Sequence, residues 1–187
     1  MANSDAAFGF KPVRHLSGGQ IRTQEYKIAN NYGTVIYQGQ AVKAVAAGGI
    51  EAAAAGDVVL GIFNGCFYTD PTTSKPTFSN TYPASTAAAD IVANVFDDPQ
   101  IVFEVQHDGT GTAAMNFSGF DLVGTAGTSA SGRSTQELDT STSGTSGQFK
   151  QIGISKDASN DDTATANANA YVVSNTGEHT HSLTTAI

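Results

Sequence analysis

Apolar and polar positions alternate along much of this chain, and no stretch of ten or more residues carries a helical period. Strands are predicted over residues 21–29, 34–45, 58–68, 91–96 and 101–107, with two closing strands over 148–155 and 170–174. The most strand-like run is 56–69. Val58, Val59, Leu60, Ile62, Phe63, Phe67 and Tyr68 supply β-branched, aliphatic and aromatic side chains. Gly61 and Gly65 interrupt them where a barrel strand bends or bulges. Asp97-Asp98-Pro99-Gln100 is a strong turn signal, because Pro presets φ and Asp bonds its own backbone, and it predicts a hairpin between 91–96 and 101–107. The Ala/Gly-rich stretch 44–55 reads as connection, and the Pro/Thr/Ser-rich stretch 70–83 as an irregular excursion. The pattern predicts an all-β fold built on a compact β-barrel.

Three segments follow. Residues 1–20 read as an extended arm in which Phe8, Phe10, Pro12 and Leu16 are spaced without strand or helix periodicity, residues 21–107 as the barrel core, and residues 108–187 as a loop-rich segment with closing strands. From 108 to 147 the chain is rich in Gly, Ser and Thr, with ordered islands at 117–123 and 133–139. A chain of 187 residues can bury a sizeable core.

Composition changes the functional picture more than the fold. Charged residues are 14% of the chain, against about 25% in ordinary soluble domains. A surface so poor in charge suits coverage by neighbours. A net charge of −8 with nine scattered Lys and Arg argues against nucleic-acid partners. The apolar-looking stretch 41–63 contains Lys43, Glu51 and Asp57, which disqualifies it as a membrane span, and the first residues lack the pattern of a secretory signal. Synthesis in the cytoplasm is expected. The single cysteine, Cys66, sits in the apolar run and reads as a buried, inert thiol.

Candidate chemistry is sparse. His179 and His181 place two imidazoles on one face of an extended segment, and would hold a metal only if a symmetry axis brought copies together; the plainer reading is a polar C-terminal segment. Asp157, Asp161 and Asp162 lack the ligand alternation of a calcium loop. Gly109-Thr-Gly111-Thr-Ala-Ala114 matches a phosphate-cradling motif, but Phe117, Ser118 and Gly119 leave no room for the helix that it requires. No nucleophile elbow occurs, and neither His15 nor His107 has a plausible relay partner in sequence. The chain therefore reads as a non-enzyme without a cofactor. Tyr68, Tyr82 and Tyr171 are the stacking platforms that a glycan-binding alternative would use.

Three blocks, residues 9–19 (GFKPVRHLSGG), 56–63 (GDVVLGIF) and 132–139 (GRSTQELD), resemble parts of the capsid decoration, or cement, proteins of tailed phages. The order of parts is also similar: an extended arm, a β-barrel and an acidic remainder. This resemblance implies a homotrimer on the outer surface of an expanded capsid, at three-fold or quasi-three-fold positions, with the major capsid protein as partner. It also implies that Phe8, Phe10, Pro12, Arg14 and His15 in the arm carry the docking. The chain is considerably longer than the lambda-type members, and residues 108–187 are where it departs from them. A tail- or fibre-associated trimer, or a receptor-binding virion module, is the alternative.

Overall fold

A computed structural model of the chain describes residues 3–124, 127, 130–175 and 177–178. These residues form an all-β structure whose only helical turns are two of 3-10 type, at Ala113–Met115 and Thr140–Thr142. The strands are β1 (Lys11–His15), β2 (Gln24–Lys27), β3 (Ala41–Val45), β4 (Gly49–Ala52), β5 (Gly61–Thr69), β6 (Pro76–Ser79), β7 (Val92–Phe96), β8 (Ile101–Gln106), β9 (Gly119–Phe120), β10 (Leu122–Val123), β11 (Glu137–Leu138), β12 (Phe149–Ile154) and β13 (Asn169–Ser174). One antiparallel sheet runs β1-β8-β13-β12-β9, a second runs β2-β7-β5-β3-β4 with β6 on β5, and β10-β11 is a separate ribbon.

The second sheet is buried on both sides because successive residues of its strands point to opposite faces. Ala41 and Ile62 enter a core shared with Phe103, Val105, Phe149 and Val172 of the first sheet. Their neighbours Val42 and Phe63 enter a second core, which Ile28, Ile36, Tyr82 and Ile91 close from the other side. The outer strands β2 and β4 approach each other at one parallel bridge, Ile28 to Ile50, rather than along a hydrogen-bonded ladder.

The hairpin expected at 97–100 does not form. β7 pairs with β2 and β5, β8 with β1 and β13, and the turn at Pro99 carries the chain from one sheet to the other. Turn residues specify a reversal but not which partner the next strand takes. Here Phe96 and Ile101 both pack on the core between the sheets, so the chain folds over rather than alongside itself. The bulge expected near Gly65 is present: the β5–β7 register shifts between Phe63 and Cys66, and Gly65 adopts φ 119°. The strand expected over 34–45 is confined to Ala41–Val45, because Gly39, at φ 83°, breaks the extended run.

Residues 3–15 are not a free arm. β1 is paired with β8, and the preceding residues are fastened by side-chain amides. Gln106 donates to Ser4 O at 2.8 Å and accepts from the Ala6 N–H at 3.1 Å, and Asn3 donates to Asp162 O at 2.7 Å. The first sheet therefore joins strands from the arm, the expected core and the late segment. The described residues of the Gly/Ser/Thr-rich stretch are held the same way. Gln136 accepts from Ala41 N, Gln148 bridges Leu122 N to the carbonyls of Ala54 and Asp57, and Gln151 bridges His107, Thr112 and Asn116. All three glutamines are buried, so each amide substitutes for backbone pairing that the irregular chain cannot provide.

Candidate docking site

The five residues that the resemblance singles out separate into three environments. Phe10 is 1% exposed, stacked on Phe149 at a centroid distance of 4.2 Å and edge-on to Phe103 at 6.5 Å. Its ring belongs to the protein's own core and is not presented to a partner. Phe8 and Pro12 are half-buried and line a cleft of about 170 Å³ with Lys11, Phe96 and Arg133. Arg14 is exposed on β1, and His15 lies in a second, wider cleft of about 640 Å³.

β1 is an edge strand: among the described residues only β8 pairs with it, and its register is broken between Pro12 and Arg14. Pro and a bulge are the devices by which an edge avoids indiscriminate strand pairing, so recognition here falls to side chains. Those side chains are apolar and basic. Val13 and Leu16 are 40% and 51% exposed beside Lys11 and Arg14. Residues 6–24 contain Lys11, Arg14 and Arg22 and no acid, a balance of +3; the rest of the chain holds six bases against seventeen acids, a balance of −11. In sequence, one basic, partly apolar segment thus interrupts an acidic chain; in space Lys11 meets Glu104 and Arg22 lies near Asp98, while among the described residues no carboxylate is within ion-pair distance of Arg14.

The wider cleft contains a relay that the linear sequence conceals. His15 Nε2 lies 3.1 Å from Asp98 Oδ2, and its Nδ1 lies 2.9 Å from the Ser17 hydroxyl and 3.3 Å from the Ser17 backbone N–H. A backbone N–H at Nδ1 makes that nitrogen the acceptor and leaves Nε2–H to donate to Asp98. Burial works against ionisation of Asp98, but the Gln100 N–H, His15 and Arg22 outweigh it and hold the carboxyl below its usual range. Hydroxyl, imidazole and carboxylate stand in the order of a nucleophilic relay. Ser17 and His15 are, however, two residues apart in a tight turn closed by the Gly18 N–H on His15 O, and the contacts close that turn and tie it to Asp98. Beside it, burial and the bond donated to Asp97 push the Tyr26 hydroxyl up to about 12.

The other sequence motifs have structural explanations. A Cβ at Gly109 would strike Thr140 and one at Gly111 would strike the His107 ring, so these glycines permit close packing instead of cradling a phosphate. His107 is fully buried and burial lowers its pKa; because Gln151 uses its own amide N–H groups on Thr112 and Asn116, its Oε1 accepts from His107 Nε2. His107 Nδ1 is left without a partner. Glu137 is the most perturbed carboxyl: burial first, then the charges of Asp5 and Asp108, push it up to about 7, and its buried Oε1 has no hydrogen-bond partner. Asp157 caps its own loop through Ser159. Tyr68 and Tyr82 are buried and Tyr171 is half-buried, its hydroxyl 3.3 Å from that of Ser155, so the first two offer no stacking platform. Cys66 is buried and its thiol is pushed up to about 12 by burial. His179 and His181 lie outside the described residues. Among the described residues no group of three or more His, Cys, Asp or Glu side chains is placed to hold a metal, and no helix is long and apolar enough to cross a membrane.

No family model, curated protein or solved structure matches this chain.

Proposed function

We propose that this chain is a structural, non-enzymatic virion protein that binds the outer surface of an assembled tailed-phage capsid and stabilises it, as a homotrimer over the major capsid protein. The observation that carries the reading is the edge strand β1, on which Val13 and Arg14 are exposed, continued by Leu16, which is exposed just past its end. The resemblance of residues 9–19 to cement proteins falls on the same strip. A ligand that binds only the assembled state stabilises it by mass action, so each contact can be weak when many copies act together. Relative to the sequence-based expectation, the docking role stays with Arg14, leaves Phe10, which is core, and extends to Val13 and Leu16. The tail or fibre alternative rests on His179 and His181 alone.

The test is co-sedimentation with expanded, DNA-filled shells that lack this chain. The wild-type chain should pellet with shells and raise their temperature of DNA release. A V13S/R14E/L16S variant, which alters exposed side chains only, should keep the same fold and lose both effects. A variant that binds and protects as well as the wild type would remove β1 from the docking role, and shells indifferent to the wild-type protein would remove the function.

A further inference from the structure

We infer that the cleft between Phe8 and Arg133 is a pocket for one aromatic-sized apolar side chain carried on an acidic, extended segment of a partner protein. The capsid origin of that segment rests on the reading above; the chemistry of the pocket does not. At about 170 Å³ the cleft holds one ring and is smaller than the 300–1,000 Å³ typical of drug-sized ligand sites. Phe8, Pro12 and Phe96 line it, with the buried Phe63 behind them. Its floor is preformed. The Gly39 carbonyl accepts from Phe10 N, the Gly39 N–H donates to Phe63 O at 2.8 Å, and a Cβ at Gly9 would come within 2.7 Å of the Gly39 oxygen.

The polar groups of the cleft suit a peptide. Gln38 Nε2 donates to Asn64 Oδ1 at 3.0 Å, which leaves Gln38 Oε1 as an acceptor and Asn64 Nδ2 as a donor, the complement of one passing peptide unit. Charge sets the flanking residues. Among the described residues no carboxylate lines the cleft, whereas Lys11 and Arg133 do. Lys11 contacts Glu104 at 3.3 Å yet stays 64% exposed, and among the described residues no carboxylate lies within ion-pair distance of Arg133. In a chain of net charge −8, two cations beside an apolar recess favour an acidic segment and repel a basic one. A mainly apolar lining favours a side chain over a sugar.

The probe is acetyl-Asp-Phe-Asp-amide, titrated into the isotopically labelled full chain and followed by amide chemical shifts. Saturable shifts are expected at Gly39, Asn64 and Arg133, with affinity falling as salt is raised. Acetyl-Lys-Phe-Lys-amide and acetyl-Asp-Ala-Asp-amide should bind at least tenfold more weakly, and R133E should weaken the first peptide at least fivefold. No saturable shift at these residues, equal binding of the lysine-flanked peptide, or tighter binding of glucuronic acid than of the peptide would overturn the inference. Shell co-sedimentation is read separately, so peptide binding without shell binding would leave the pocket standing and remove only its capsid partner.

Discussion

Replacing Phe10 by Ala tests whether the first fifteen residues are an appendage or part of the fold. The ring is buried between Phe149 and Phe103, and its backbone N–H is bound to Gly39 O at 2.8 Å. Burying a phenylalanine removes about 150–250 Å² from water. At about 25 cal/mol per Å² that is worth about 4–6 kcal/mol, and Phe→Ala substitutions in cores cost about 3–5 kcal/mol. We expect a loss of about 4 kcal/mol, a large share of the 5–15 kcal/mol that holds a typical domain folded. Urea denaturation followed by near-ultraviolet circular dichroism measures it. With a slope of about 2 kcal/mol per molar urea, the midpoint should fall by about 2 M. Phe117→Ala is the control: this side chain is 73% exposed, and its loss should stay within about 0.5 kcal/mol. A Phe10→Ala loss below about 1 kcal/mol with an unchanged slope would refute the core placement and return Phe10 to the docking surface. Truncation of residues 1–20 should be worse than F10A, since it also strips β1 from Glu104 and the Ser4 and Ala6 partners from Gln106.

Glu137→Gln should stabilise the protein in a pH-dependent way. The folded carboxyl, near 7, lies above its ordinary value of 4.5, so ionisation costs nothing below pH 4.5, progressively more up to about 7, and a constant amount above. That difference corresponds to about 3 kcal/mol, which solvent screening of a half-exposed group cuts to about 1 kcal/mol; thermal unfolding at pH 8 should show the gain and at pH 4 none, and an equal gain at both would contradict the assignment. Gly111→Ala should destabilise by about 2 kcal/mol through overpacking against His107. A fully stable variant that had lost affinity for phosphate would instead support the nucleotide motif.

The all-β class was legible in the alternation of the chain, and so were the longest strands and the bulge at Gly65, because a period of two with β-branched residues is a local property. The strands that escaped detection are those whose own residues carry little buried apolar alternation, whether the partner is distant, as β8 is for β1, or next in the chain, as β3 is for β4 and β5 for β6. β1 reads as Lys-Pro-Val-Arg-His with little buried, β4 as Gly-Ile-Glu-Ala with only Ile50 buried, and β6 begins at a proline. Each is a strand only because β8, β3 or β5 lies beside it. The turn at 97–100 was readable as a reversal, but whether it joined two strands of one sheet or two sheets depended on where Phe96 and Ile101 find their core. Low charge was visible in composition, whereas the basic strip on β1 became a surface only when β1 took the edge of its sheet. The Ser17, His15 and Asp98 contact, and the cleft joining Phe8, Asn64 and Arg133, bring together residues up to 125 positions apart, which no local pattern encodes. Composition marks residues 108–147 as loose, yet the buried amides of Gln136, Gln148 and Gln151, in or just beyond them, fix the described backbone at Ala41, Leu122 and Thr112 and the side chain of Asn116. A glutamine's side chain looks the same in sequence whether water or a backbone carbonyl receives its hydrogen bonds, and only the tertiary structure decides between the two.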